Sequence, residues 1–465
     1  MAADIGNKEE GSADKKFEAA LNSILHMDKR DYPCYVGGLK IASGDERIVT
    51  SPVDESIIFG KFQEPEDGLP ERAVEVASKA FAAWSAKGRE ERASIFGKIS
   101  DVLKKQKYRI AAAVTVSCGM VRKDSIYEAE RLIEIIDAGI EKMNGGADGT
   151  PAGVWAIISE YNSPLASPMG NAAAAMIAGN TVIIVPPKEC PYPVYMMYDI
   201  FAQFLPDGVL NVMYDSKGKA TNKLTENEDL AGIVSIGRSD RFEDLMFSAV
   251  GDDLAFLNEF KGMNPMIVYR PHSMQAAAEL AIASAFAYSG QRADSCSKVI
   301  ITASEQKQFI DQLLSAAKKI TVGDPAEKET TVGPVISKKS MESFLDIVKR
   351  SKENLVFGGK RMTGETTEGG YYVMPAIFVG LPDDHELNNI DHSLPVLSVQ
   401  IVNDMNEAAD AAGTCEHGQS MGIISKDEKA VEKFMKNADP DIFYVNGPST
   451  VVGAAPKADA EAFLK

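Results

Sequence analysis

Groups able to do chemistry are sparse in this sequence, and the densest run of them is Tyr288–Lys298. It reads Tyr-Ser-Gly-Gln-Arg-Ala-Asp-Ser-Cys-Ser-Lys and is followed by the apolar run Val299–Ile301. An Ala-rich pattern, Ala277–Ala287, leads into it, so the residues predict a helix, a turn at Gly290 and a buried strand. The run holds one thiol, Cys296, and a carboxylate, Asp294, of the kind that raises the pKa of a thiol beside it. The five cysteines (Cys34, Cys118, Cys190, Cys296 and Cys415) show no CxxC spacing, and the five histidines are dispersed as well. That distribution argues against a disulfide framework or a zinc site. No GxGxxG fingerprint is present.

The elements that must position these groups alternate along the chain. At 465 residues it can bury a large core and should hold more than one domain. Residues 1–30 are charged and read as a loose, polar lead-in. Tyr35-Val-Gly-Gly38 reads as a hairpin, and Ile48–Lys61 as a second pair of strands. Three apolar stripes at helical spacing follow, through Ala73 to Trp84, Ala93 to Leu103 and Ala129 to Ile140. Then come short apolar strands separated by helices: Val154–Ile158, the run ending at Val185, Val209–Met213 and Ile233–Ile236. The second half repeats the alternation, with strands at Met266–Tyr269, Tyr371–Val379, Val396–Val402 and Phe443–Asn446. Strands alternating with helices imply an α/β fold with doubly wound parallel sheets. A break in the pattern places a domain boundary near Glu259.

Charge and hydropathy exclude other classes. A net charge of −18 should repel nucleic acid and acidic membranes. No apolar run is long enough to span a bilayer, and Met1–Asp14 lacks the apolar core of a signal peptide. Scattered cysteines make a reducing, cytoplasmic setting the simplest expectation.

The run at Tyr288–Lys298 resembles the nucleophile turn of the aldehyde dehydrogenase superfamily. The nearest form is the Gly-Gln-Lys-Cys-Ser-Ala-Cys-Ser-Arg of the 1-pyrroline-5-carboxylate dehydrogenase branch. Other pieces of the pattern stand in order: Ala178-Gly-Asn-Thr-Val, Leu205-Pro-Asp-Gly-Val-Leu-Asn-Val212, Gly323-Asp-Pro325, Val332-Gly-Pro-Val335 and Pro395-Val-Leu397. The resemblance covers about Tyr35 to Asn446. It implies two Rossmann-like domains and oxidation of an aldehyde by a cysteine thiolate, with hydride passing to NAD(P) and water releasing the acid.

The same resemblance exposes what has changed. The nucleophile position is Ala293, and a methyl group forms no covalent adduct. Cys296 matches the family's second cysteine, three residues on, where it would point elsewhere. Asn162 in Tyr161-Asn-Ser-Pro164 matches the oxyanion-holding Asn; on its residues alone it is a turn Asn before Pro164. Glu259 matches the water-activating Glu, although Glu-Leu-Gly-Gly-Lys has become Glu259-Phe-Lys-Gly-Met263; on its residues alone it is an exposed loop carboxylate. Val185 stands where relatives place a ribose-binding Lys, and Lys188 at a Glu position. The Phe-Thr-Gly-Ser turn reads Ser235-Ile-Gly-Arg238, so Gly237 and Arg238 stand where pyrophosphate would lie. Asp391 replaces the Glu that takes the nicotinamide ribose. Only Asn144–Pro151 occupies the place of the family's oligomerisation hairpin, and the family's C-terminal strand is expected to be missing.

The expected organisation is a lead-in at 1–30, a dinucleotide-binding-like domain at 31–258, a catalytic-type domain at 259–445 and a truncated return segment at 446–465. Three readings are open. The chain is a natural non-oxidising family member with a binding or assembly role and a possible partner subunit; or an active NAD(P)-dependent semialdehyde enzyme represented as a Cys-to-Ala variant at Ala293; or a protein that keeps the fold for different chemistry. The changes together favour the first, with NAD or NADP binding weak or absent.

Overall fold

The computed structural model describes all residues except Met1, 43–44, 147, 239–242, 247–253, 415–417, 438–439, 441 and 450–458, with side chains 2–10 and 437 also left out. Cys415 therefore lies outside the described residues. The chain folds as two units: Met1–Ile236 with Asp240–Asn258 and Pro456–Lys465, and Gly237–Ser239 with Glu259–Ala455.

The start of the first unit departs from the sequence expectation. Residues 2–25 form a helix, α1 (Ala2–Leu25), rather than a loose lead-in. Phe17 and Ile24 are buried on it. Arg122 fixes the helix by pairing with Asp14 at 3.3 Å and with Glu18, its guanidinium 4.4 Å from the Phe17 ring centroid. The three apolar stripes become α2 (Leu69–Ser85), α3 (Arg89–Cys118) and α4 (Arg122–Asn144).

A seven-stranded sheet runs in the order β10-β9-β6-β7-β8-β2-β3. Its parallel centre is β6 (Val154–Ser159), β7 (Thr181–Val185), β8 (Leu210–Val212) and β9 (Leu230–Arg238). β2 (Cys34–Val36) joins antiparallel and turns into β3 (Leu39–Ile41). That turn needs glycine: Gly37 and Gly38 have φ of 61° and 75°, and a Cβ on Gly38 would lie 2.2 Å from the Asp207 carboxylate. β6 has β7 on one side and β9 on the other, so the strand order reverses there and its carboxyl end is a topological switch point, where ligands characteristically sit.

The last residues of the chain return to this unit. Thr150 and Lys465 exchange backbone hydrogen bonds at 3.1 and 2.9 Å. Phe463 is fully buried with its ring centroid 4.6 Å from that of Trp155, and its carbonyl accepts from Asn180 Nδ2 at 2.9 Å. α4 ends at Asn144 and β6 begins at Val154, so the connection between them is short.

The second unit holds its own seven-stranded sheet, β13-β16-β17-β12-β11-β18-β19. β11 (Met266–Val268), β12 (Lys298–Thr302), β16 (Ala376–Val379), β17 (Val396–Val402), β18 (Ser420–Ile424) and β19 (Ile442–Val445) are parallel, and only the edge strand β13 (Leu355–Phe357) runs antiparallel. These strands are mostly apolar because helices cover both faces. The helices Met274–Phe286 and Gln306–Ala317 bury Ala277, Ala281, Phe309 and Leu313 against Val299, Ile301, Leu397 and Val399. On both sheets, then, the periodicity read from the sequence is the periodicity of burial.

Candidate functional site

The helix Met274–Phe286 gives way to a tight turn at the amino end of β12. Tyr288, Ser289 and Gly290 stand in succession in the left-handed region, at φ of 48°, 57° and 70°. Two consecutive non-glycine residues there are strained. Gly290 is obligatory, because a Cβ would lie 2.4 Å from the Leu394 carbonyl oxygen. The strain is held by side chains: Ser289 Oγ donates to the Gly333 carbonyl at 2.9 Å, and Gln291 Oε1 accepts from the Ile336 N–H at 2.7 Å. The turn delivers Ala293, only 4% exposed, whose carbonyl accepts from Asn264 Nδ2 at 2.8 Å. The same amide donates to Gly262 and Ser295, and Asn264 Oδ1 accepts from the Ser420 N–H.

Asp294 does not stand as an isolated charge beside Ala293. Arg292 grips it through two nitrogens at 2.8 and 3.1 Å, with both residues buried. This fork-to-fork pairing is the strong geometry for a carboxylate.

Cys296 is placed behind the turn. It is fully buried among Phe286, Val299 and Leu397, its N–H donates to the Ser284 carbonyl at 3.0 Å, and its thiol donates to the Lys298 carbonyl at 3.2 Å. In that setting the sulfur serves as core, which is the usual fate of a buried free cysteine.

Glu259 lies on β10 (Ala255–Lys261) and is 3% exposed, so it is a buried strand carboxylate rather than an exposed loop residue. Two residues on, at the strand's repeat, Lys261 is buried too. Its ammonium reaches Asp391 at 3.0 Å, with side-chain exposures of 0% and 2%. Asp391 Oδ1 also accepts from Ser297 Oγ, and Oδ2 accepts from the Ser393 N–H at 2.8 Å and Ser393 Oγ at 3.2 Å. The Ser297 N–H in turn donates to the Met263 carbonyl at 2.9 Å, tying the end of β10 to the turn.

The other candidate residues are distributed as follows. In the first unit Asn162 is buried just beyond the carboxyl end of β6. Val185 closes β7 inside an apolar cluster with Ala156, Ile158 and Ile183. Lys188 is exposed, its ammonium 4.0 Å from the Glu189 carboxylate. β9 runs extended through Gly237 to an exposed Arg238. In the second unit Asp391 is joined to Lys261 and Ser297, and Ala293 to Asn264, while Glu259 shares the strand β10 with Lys261.

Lys261, Asn264 and Arg292 were not singled out from the sequence. Lys261 stood in view as the odd residue of Glu259–Met263, and Asn264 precedes Pro265 as a turn residue would. Nothing local said that either would meet residues far along the chain.

Residues 41–457 match the aldehyde dehydrogenase family model, and the chain belongs to that family. It is similar to a 1-pyrroline-5-carboxylate dehydrogenase of Geobacillus sp., 25% identical over 95% of this chain and 90% of that one. It is similar also to the 2,5-dioxopentanoate dehydrogenase of Saccharolobus solfataricus, 28% identical over 88% of each. Among solved structures it resembles the Thermus 1-pyrroline-5-carboxylate dehydrogenase with bound NAD, with a TM-score of 0.90 at 22% identity over 97% of this chain and 95% of that one, a likeness of fold.

Proposed function

We propose that this chain is a non-oxidising member of the aldehyde dehydrogenase family, kept for binding or for assembly with another protein subunit, in a cytoplasmic setting. The observation that carries this is Ala293, a methyl group delivered by a turn whose supports are intact. Covalent oxidation needs a thiolate at that position to form the thiohemiacetal. Asn162 and Glu259, at the positions of the oxyanion donor and water-activating carboxylate, have no adduct to act on.

The residues at the cofactor positions also fit NAD(P) poorly. Val185 offers no donor or acceptor from its side chain, and Asp391 already accepts four hydrogen bonds from Lys261, Ser297 and Ser393. No helix among the described residues is long and apolar enough to cross a membrane, and the charge of −18 disfavours nucleic acid.

One observation favours a second reading. The strained turn at Tyr288–Gly290 survives around Ala293, as it would in an active semialdehyde dehydrogenase carrying a Cys-to-Ala change. Ala293→Cys separates the two. With a panel of aldehydes and NAD or NADP, the non-oxidising reading expects no reduced cofactor from either protein. Restored turnover in Ala293→Cys would establish the second reading. Turnover by the unaltered chain, abolished by Cys296→Ala, would establish a third chemistry.

A further inference from the structure

Resting on the non-oxidising reading, we propose that Lys261 is an internal plug, a side chain that takes the hydrogen-bonding capacity a nicotinamide dinucleotide would need at Asp391 and so excludes that class of ligand from this chain.

A carboxylate has roughly four lone-pair positions to offer. Those of Asp391 are taken: Oδ1 by Lys261 Nζ at 3.0 Å and by Ser297 Oγ, Oδ2 by the Ser393 N–H at 2.8 Å and Ser393 Oγ at 3.2 Å. A ribose hydroxyl arriving here would have to displace one of these donors. Displacing the ammonium exchanges a charge-assisted bond for a neutral one and leaves a cation buried without its partner. Displacing Ser393 means undoing a bend in which the i+2 N–H and the hydroxyl of one residue turn back onto the carboxylate. Ser393 holds that bend at φ of 53°.

The surroundings keep the plug in place. Lys261 ends β10 with its side chain fully buried, and the next residues are fastened by Asn264 Nδ2 to the Gly262 carbonyl at 3.0 Å and by the Ser297 N–H to the Met263 carbonyl at 2.9 Å. Ser297 therefore contacts both ends of the arrangement, the strand through its N–H and Asp391 through its hydroxyl. The backbone there is therefore fixed, and the lysine side chain is enclosed. It has the length to reach Asp391 from a position where a small residue would leave space instead. An ion pair so buried is weak evidence for stability in itself, since apolar replacements often do as well. Its clearest consequence is the acceptor capacity it removes.

Calorimetric titration with NAD and NADP tests this, using the full chain. The unaltered protein is expected to give no saturable heat at millimolar cofactor. Lys261→Gly, which empties the position and frees Oδ1, is expected to bind at least about tenfold more tightly. Lys261→Gln keeps a neutral donor without the charge and is expected to fall between the two; it decides the matter if Lys261→Gly does not fold. The paired change Lys261→Met with Asp391→Leu is expected to fold and to bind nothing, because the acceptor itself is gone. Micromolar binding by the unaltered chain, or a folded Lys261→Gly or Lys261→Gln that binds no better than it, would overturn the plug. Failure of the non-oxidising reading would show separately, as reduced cofactor formed from an aldehyde.

Discussion

The side-chain amide of Asn264 donates to the carbonyl of Ala293 at 2.8 Å, and it divides its remaining capacity between Gly262 and Ser295. One buried side chain thus holds the end of a strand and the crest of a strained turn. Asn264→Ala would leave several carbonyls and the Ser420 N–H without partners in a site too enclosed for water to replace them. The expected loss is about 3 kcal/mol, read as a lower urea midpoint by circular dichroism. A loss below about 1 kcal/mol would mean the turn is held by Ser289 and Gln291 alone.

Phe463→Ala should destabilise the first unit by about 3–5 kcal/mol, the range for deleting a fully buried aromatic ring. The measurement is clean because both tryptophans, Trp84 and Trp155, belong to that unit and Trp155 touches the ring. Tryptophan fluorescence during denaturation should therefore shift, and an unchanged midpoint would show that the C-terminal return carries no stability.

How much of this was legible from residues alone follows from locality. The buried strands announced themselves, since Thr181–Val185 and Val396–Val402 are apolar runs with breakers on either side. Gly290 was legible as a turn, and Ala293 stood out once the surrounding pattern was read. α1 was not legible: its charged residues dominate the composition, and only Phe17, Ile24 and the distant Arg122 reveal its buried face. The pairing of Lys261 with Asp391 was opaque for the same reason, the two being 130 residues apart in sequence. Cys296 was expected to point away from the nucleophile position, and the fold turns it inward against Phe286 and Leu397.

Acid should weaken the protein through His392. Burial, the largest influence, holds this imidazole below its ordinary 6.5, Arg238 and Arg350 push the same way, and Asp391 and Glu386 pull against it. A depressed pKa means the native state prefers the neutral ring. Its contribution is complete above about pH 6.5 and is lost as pH falls through the lower folded value. His392→Gln should flatten the decline in stability below about pH 6.5, followed by urea midpoints across a pH series. An identical decline in the variant would assign the acid limb to carboxylates instead.

The connection between Asn144 and Val154 is short, leaving little chain there for an intersubunit contact. The charge of −18 opposes self-association further, in part screened by salt. Light scattering coupled to gel filtration at low micromolar concentration should therefore find a monomer or a weak dimer. A stable tetramer of this chain alone would place its assembly contacts elsewhere on the surface.

The backbone exchange between Thr150 and Lys465 sets an order on synthesis. The stretch 259–455 is one uninterrupted run and has emerged from a ribosome before the residues that complete the other unit. Trp155 and Asn180 are made well before Phe463, which covers the one and bonds the other. During that interval the unit translated first is the one still incomplete, with the Trp155 ring lacking its cover, so it is there that a chaperone would find its hold on the nascent chain.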